Sequence, residues 1–153
     1  MVAMQDQPTT TDPPCCPPPD GPPPTALFAA DPESARAARV FAREVVENRA
    51  PGAPADSVSD VQLVVSELVT NAIRYGTEPG DSLALIVDAT PQRVRVEVHD
   101  PRRRRPAMRA ESPDRQRGRG LFIVDTLAQW GIDDRPFGKI VWAELTWTNG
   151  EAP

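Results

Sequence analysis

Glu67 and Asn71 are the first residues whose types and spacing could do chemistry. They stand four residues apart in the segment SELVTNAIRYG (66–76), so on a helix they lie one turn apart on the same face. An asparagine carbonyl oxygen can bind Mg²⁺, which prefers oxygen ligands, and a glutamate can accept a proton or orient a nucleophile. The pair is a candidate magnesium and general-base site. The alternative is a solvated polar edge on a core helix.

Asp100 is a second candidate because it stands at the end of a predicted strand, residues 93–99, in which valine alternates with charged or polar residues. A carboxylate at a strand end could accept a hydrogen bond from an exocyclic amine such as adenine N6. The alternative is a turn-forming aspartate before Pro101. His99, the one histidine of the chain, is interpreted as an ordinary strand residue.

The segment Gly118-Arg119-Gly120-Leu121 opens a predicted helix. Glycine lets the backbone approach an anion closely, and a helix N-terminus offers unpaired N–H groups at the positive end of the helix dipole. These features suit a diphosphate or triphosphate. The alternative is a flexible joint between a loop and a helix.

Hydrophobic periodicity predicts the elements that must position these residues. The predicted order is a short edge strand at 25–30, helices at 32–48 and from 57 to a Gly76 cap, strands at 82–89 and 93–99, a long loop at 101–118, a helix at 119–130 capped by Gly131, and a hairpin of strands at 132–135 and 139–148. Asp31 and the Ser57–Asp60 pair are the expected caps of the first two helices. Paired strands with helices between them indicate an α+β two-layer sandwich.

Composition divides the chain into a domain and two tails. Residues 1–24 hold nine of the nineteen prolines, which predicts a disordered proline-rich tail. The adjacent Cys15 and Cys16 lie in that tail and cannot staple a core. The domain is expected at 25–148, followed by a short C-terminal tail at 149–153.

The charge pattern bears on partners and location. The net charge of −5 argues against a general nucleic-acid binder, although many arginines fall between Arg102 and Arg119 and suggest a local anion site. No apolar run approaches the ~20 residues of a membrane helix, and no signal pattern opens the chain. We expect a cytoplasmic protein that does not contact a membrane.

Three segments together resemble the nucleotide-binding boxes of the GHKL ATPases: SELVTNAIRYG (66–76), VEVHDP (96–101) and GRGLFIVDTLAQWG (118–131). GKIVWAEL (138–145) resembles the hairpin that closes compact members, so the resemblance covers about 25–148. It implies the Bergerat fold, a mixed, mainly antiparallel sheet with about three helices on one face. The short domain is most similar to the stand-alone anti-sigma-factor serine/threonine kinases.

The resemblance also implies ATP and Mg²⁺ as cofactors and a role for each candidate residue. Glu67 would be the catalytic base, Asn71 would hold Mg²⁺, and Asp100 would recognise adenine. A protein of this kind binds a sigma factor and phosphorylates a serine of a small antagonist protein. The resemblance leaves open whether the protein forms a homodimer.

The phosphate side of the implied site lies in the glycine segment and the arginine-rich loop. The phosphates would lie against Gly118, Arg119, Gly120 and Leu121, under a lid at 101–117. The chain departs from the family where a glycine hinge is expected after Asp100, because Pro101 and Arg102 stand there. The arginines at 102–105 could contact the γ-phosphate, a protein partner, or only solvent.

Two other functions compete with a kinase. The missing glycine favours a non-catalytic ATP-binding module that regulates by sequestering a protein partner. Nucleic-acid binding through residues 102–105 is the third hypothesis, and the net charge and the absence of aromatic residues in that loop count against it.

Overall fold

The computed structural model describes residues 22–101 and 121–148, which form one sheet with helices packed against it. The elements are β1 (Thr25–Ala29), α1 (Ser34–Arg49), α2 (Ala55–Tyr75), β2 (Ser82–Thr90), β3 (Arg93–Asp100), α3 (described over 121–127), β4 (Gln129–Arg135) and β5 (Gly138–Thr146). The strand order is β1-β2-β3-β5-β4, and every neighbouring pair is antiparallel. The predicted α+β architecture is confirmed.

The core lies between the sheet and the helices. Alternate residues along the strands face the helices and are buried. Leu85, Val96 and Ala143 are examples that have no exposed surface. Alanines on α1 let it pack closely, and Val124 of α3 joins the same core. Alternating valines on the strands and apolar residues at helical spacing therefore produce one shared interior.

The other face of the sheet carries a ladder of charged side chains. Arg95 donates to Glu97 at 3.0 Å and its guanidinium lies 4.5 Å from the centre of the Trp142 ring. His99 Nε2 lies 2.9 Å from Glu97, and Arg93 donates to Glu144 at 3.2 Å. Burial raises the pKa of Glu97, but the hydrogen bonds from His99 and Arg95 outweigh it, so this pKa lies below its usual value. The alternation of valine with charged or polar residues at 93–99 predicts one covered and one more exposed face of the sheet, and the structure confirms it.

The second helix starts two residues before Ser57, close to the predicted position, but the predicted Ser57–Asp60 capping box is wrong. Helix α2 begins at Ala55 with Pro54 as its N-cap, and no side chain caps it. Pro54 has φ −62° and ψ 146°, and its carbonyl accepts bonds from the N–H groups of Ser57 and Val58. Proline presets the φ that enters a helix, so the helix starts before the expected Ser57–Asp60 box. In α1, the Asp31 carboxylate instead accepts a bond from Glu33 N–H, in the turn that precedes the helix.

The predicted end of the third helix is also wrong. Helix α3 ends at residue 127, and β4 begins at Gln129. Gly131, expected to cap that helix, lies inside β4 opposite Trp142, where a Cβ would come within 2.7 Å of the indole ring. The physical reason is tertiary, because this segment gains a full ladder of hydrogen bonds to β5.

Several sequence predictions fall outside the described residues. These are residues 1–21 of the proline-rich tail with Cys15 and Cys16, the loop from 102 onward, the glycine segment at 118–120, and residues 149–153. None of the helices within 22–101 and 121–148 combines the length and the apolar character needed to cross a membrane.

Candidate functional site

Helix α2 carries Glu67 and Asn71, and both side chains are partly buried. The spacing in the sequence predicts that Val64, three residues before Glu67, lies in the same row beside the apolar stripe of the helix, but Val64 is completely buried in the core. The polar row therefore begins in the core, and Glu67 and Asn71 stand at its edge. In this position the two side chains are less exposed to water than they would be on a solvated helix face.

Burial changes the acidity of Glu67. Its pKa lies above the usual range because the carboxylate is partly removed from water, while the positive charge of Arg74 acts in the opposite direction. A raised pKa brings a carboxylate nearer to neutral pH, where a general base is most effective. The environment of Glu67 therefore suits proton transfer better than a solvated edge does.

Asp100 ends β3, and its side chain has no exposed surface. Lys139 Nζ donates to Asp100 Oδ2 at 2.8 Å, across the register of β3 and β5. A buried carboxylate needs such a partner, because removing a charge from water is costly. Asp100 is therefore a buried, ion-paired strand residue, and the alternative of a simple turn aspartate is wrong.

Two glycines allow the chain to close around Asp100. A Cβ on Gly76 would lie 2.7 Å from Asp100 Cγ, and a Cβ on Gly138 would overlap the Asp100 carbonyl oxygen. Gly76 has an ordinary φ of −117°, and its N–H bonds to Ala72 O as the C-cap of α2. It confirms the predicted cap, and the need for glycine there is one of space. The end of α2 and the start of β5 thus meet at one carboxylate.

Sequence reasoning missed Lys139 as a site residue. Two features of the sequence distinguish this residue. It is the one lysine in a chain with 17 basic residues, and it follows a glycine in GKIVWAEL. Neither feature pointed to Asp100, because 39 residues separate the two side chains. Only the strand register brings them together.

Helix geometry gives the order of the candidate residues along the axis of α2, although Gly76 lies about 140° around the helix from Asn71. At 1.5 Å per residue, Asn71 lies about 7.5 Å along the axis from Gly76, and Glu67 lies about 6 Å further. Asp100 contacts the Gly76 end. From the Gly76 end, the order along the axis is therefore Asp100, Asn71 and Glu67.

The chemical types of the described candidate residues are those that ATP and Mg²⁺ would need. The Asp100 carboxylate beside Gly76 is an acceptor of the kind that an exocyclic amine requires, and the Asn71 and Glu67 oxygens are of the type that Mg²⁺ prefers. Within residues 22–101 and 121–148, no three His, Cys, Asp or Glu side chains cluster as a metal site. Leu121 is partly buried at the first described position of α3. The predicted phosphate-binding residues Gly118, Arg119 and Gly120 lie outside the described part.

Comparison with known proteins identifies the family to which the chain belongs. Residues 28–144 match the family described as the histidine kinase-like ATPase domain. The match covers more than half of the chain, so the protein belongs to this family, within the GHKL superfamily. As a member of this family it is an ATP-binding domain, and the prediction of ATP binding is confirmed to that extent. No curated protein matches the chain.

Proposed function

We propose that the protein is a Mg²⁺- and ATP-dependent serine/threonine kinase that also acts as an anti-sigma factor and phosphorylates a small antagonist protein. The observation that carries this proposal is the setting of Glu67. It is a partly buried carboxylate with a raised pKa, one turn from Asn71, on the helix whose end meets Asp100. Family membership supports ATP binding, and the environment of Glu67 supports catalysis.

Each residue then has one task in the reaction. Asp100 accepts a hydrogen bond from the adenine amine and fixes the base. Asn71 holds Mg²⁺ through its side-chain oxygen, and the ion, when bound, neutralises charge on the transferring phosphoryl group. The serine hydroxyl oxygen of the antagonist attacks the γ-phosphorus of ATP, and Glu67 accepts the proton of that hydroxyl. The serine becomes a phosphate ester and ADP leaves.

A non-catalytic module is the second candidate, because Asp100-Pro101-Arg102 departs from the Asp-x-Gly pattern that the family resemblance implies, and Arg102 stands in place of the hinge glycine. In that case ATP would organise the domain for sequestering a partner without being consumed. Both candidate functions require adenine to bind at Asp100. Only the kinase requires Glu67 to act as a general base.

Labelled ATP distinguishes them. The full-length protein is incubated with γ-labelled ATP, Mg²⁺ and each small antagonist protein encoded near its gene, and a bound sigma factor is sought by co-purification. The kinase proposal predicts label on a serine of one antagonist. Nucleotide binding without transfer to any of them would contradict it and favour the sequestering module.

The charge of Arg74 provides a pH test of the base role. Since a base must be deprotonated, transfer should fall at acid pH through the pKa of Glu67. Arg74 lowers that pKa, so Arg74→Gln is expected to move the acid limb of the rate profile to higher pH. Arg36→Gln is the control, because Arg36 is an exposed residue of α1 and its loss should leave the limb unchanged. An acid limb that does not move in Arg74→Gln would count against Glu67 as the base.

A further inference from the structure

We propose that Lys139 reads the base together with Asp100, by donating a hydrogen bond from Nζ to the ring nitrogen N1 of adenine. This inference rests on the proposed ATP binding and adds a specificity-determining residue to it.

The placement of Lys139 supports a direct role. Asp100 and Lys139 are register partners on β3 and β5, on the side of the sheet that faces the helices. The Lys139 side chain is 24% exposed, whereas that of Asp100 has no exposed surface. Of the two ion-paired side chains, that of Lys139 is therefore the one that solvent reaches.

The two groups match one edge of adenine. The amine N6 is a donor and the adjacent N1 is an acceptor. A carboxylate and an ammonium whose atoms lie 2.8 Å apart present an acceptor beside a donor. An ammonium has three N–H donors, so a bond to Asp100 leaves others for the base. Lys139 would then both stabilise the buried carboxylate and read N1.

A purely structural role for Lys139 makes a different prediction. If the lysine only neutralises Asp100, the identity of ring position 1 should not affect binding. Asp134 is the register partner of Lys139 on β4, so the lysine lies between two acidic strand positions. An experiment must therefore distinguish neutralisation of these carboxylates from a contact with the nucleobase.

The test compares ATP with 1-deaza-ATP, in which a C–H group replaces N1, by isothermal titration. A hydrogen bond to a charged group contributes roughly 1.5–3 kcal/mol, so the wild-type protein should bind the analogue about tenfold or more weakly. Lys139→Met should bind the two nucleotides equally. Arg135→Met is the matched control, because Arg135 is an exposed cation of the same hairpin, and it should discriminate as the wild type does.

Thermal melting of each variant separates loss of binding from loss of folding. If Lys139→Met does not fold, Lys139→Arg is used, since it keeps the charge beside Asp100 but moves the donor atoms. Its ratio of ATP to 1-deaza-ATP affinity should differ from that of the wild type at a similar Tm.

Failure of this inference can be told apart from failure of the proposed function. If the wild type binds neither nucleotide, ATP binding itself is wrong. If the wild type binds both equally, ATP binding stands and the reading of N1 by Lys139 is wrong. Tighter ATP binding by Lys139→Met, or an unchanged ratio in a folded Lys139→Arg, would also overturn the inference.

Discussion

Replacing Glu67 by glutamine is expected to slow phosphoryl transfer by about 10²- to 10⁴-fold, the usual contribution of a general base, while ATP affinity stays within a few-fold of wild type. Glutamine has nearly the same shape but cannot accept the proton of the serine hydroxyl. Glu67 is also only partly buried, so the substitution should leave folding intact. The measurement is single-turnover transfer from labelled ATP to the antagonist, with ATP binding measured in parallel by titration.

Glu44→Gln is the matched control for this prediction. Glu44 is an exposed glutamate of α1, so the same change of charge there should leave transfer and binding unaltered. Transfer by Glu67→Gln within a few-fold of wild type would remove Glu67 from the role of base. Loss of ATP binding in the same variant would mean that the carboxylate acts on the nucleotide instead.

Gly76→Ala is expected to weaken ATP binding about tenfold or more and to lower the free energy of unfolding by about 1–3 kcal/mol, the usual cost of overpacking. The new methyl group would lie 2.7 Å from Asp100 Cγ. Lys139 Nζ already binds this carboxylate at 2.8 Å, so the carboxylate cannot move away without losing that ion pair. Titration with ATP and chemical unfolding measure the two effects.

Gly131→Ala is the control that separates general overpacking from damage to the site. Its methyl group would lie 2.7 Å from the Trp142 ring, on the face of the sheet that carries the charged ladder. This variant should also be less stable, but its ATP affinity should match that of the wild type. Equal loss of ATP affinity in both variants would show that Gly76 acts only through stability, and unchanged ATP binding in Gly76→Ala would contradict the account of Asp100.

Much of the fold could be predicted because its signals are local. The alternation in β3 gives the buried and open faces of the sheet, and the apolar spacing gives α1 and α2. Two of the errors have non-local causes. The segment 129–131 continues a helical pattern, but pairing with β5 makes it part of strand β4. Val64 was expected outside the core stripe, but α2 packs against both α1 and the sheet and needs a wider apolar surface.

The candidate site divides in the same way. The sequence predicts the spacing of Glu67 and Asn71 on one helix and the position of Asp100 at a strand end. The surroundings of Asp100 are not, because Gly76 and Lys139 approach it from distant parts of the chain. A cap glycine with an ordinary φ gives no sign that its missing side chain makes room for a carboxylate.

The most direct test of the central claim is isothermal titration of the full-length protein with ATP, with and without Mg²⁺, on wild type and Asn71→Ala. We expect the wild type to bind ATP and Mg²⁺ to strengthen that binding. Asn71→Ala should still bind ATP through Asp100 but lose the strengthening by Mg²⁺. Absence of any binding by the folded wild-type protein at millimolar ATP would contradict the assignment of this site to ATP.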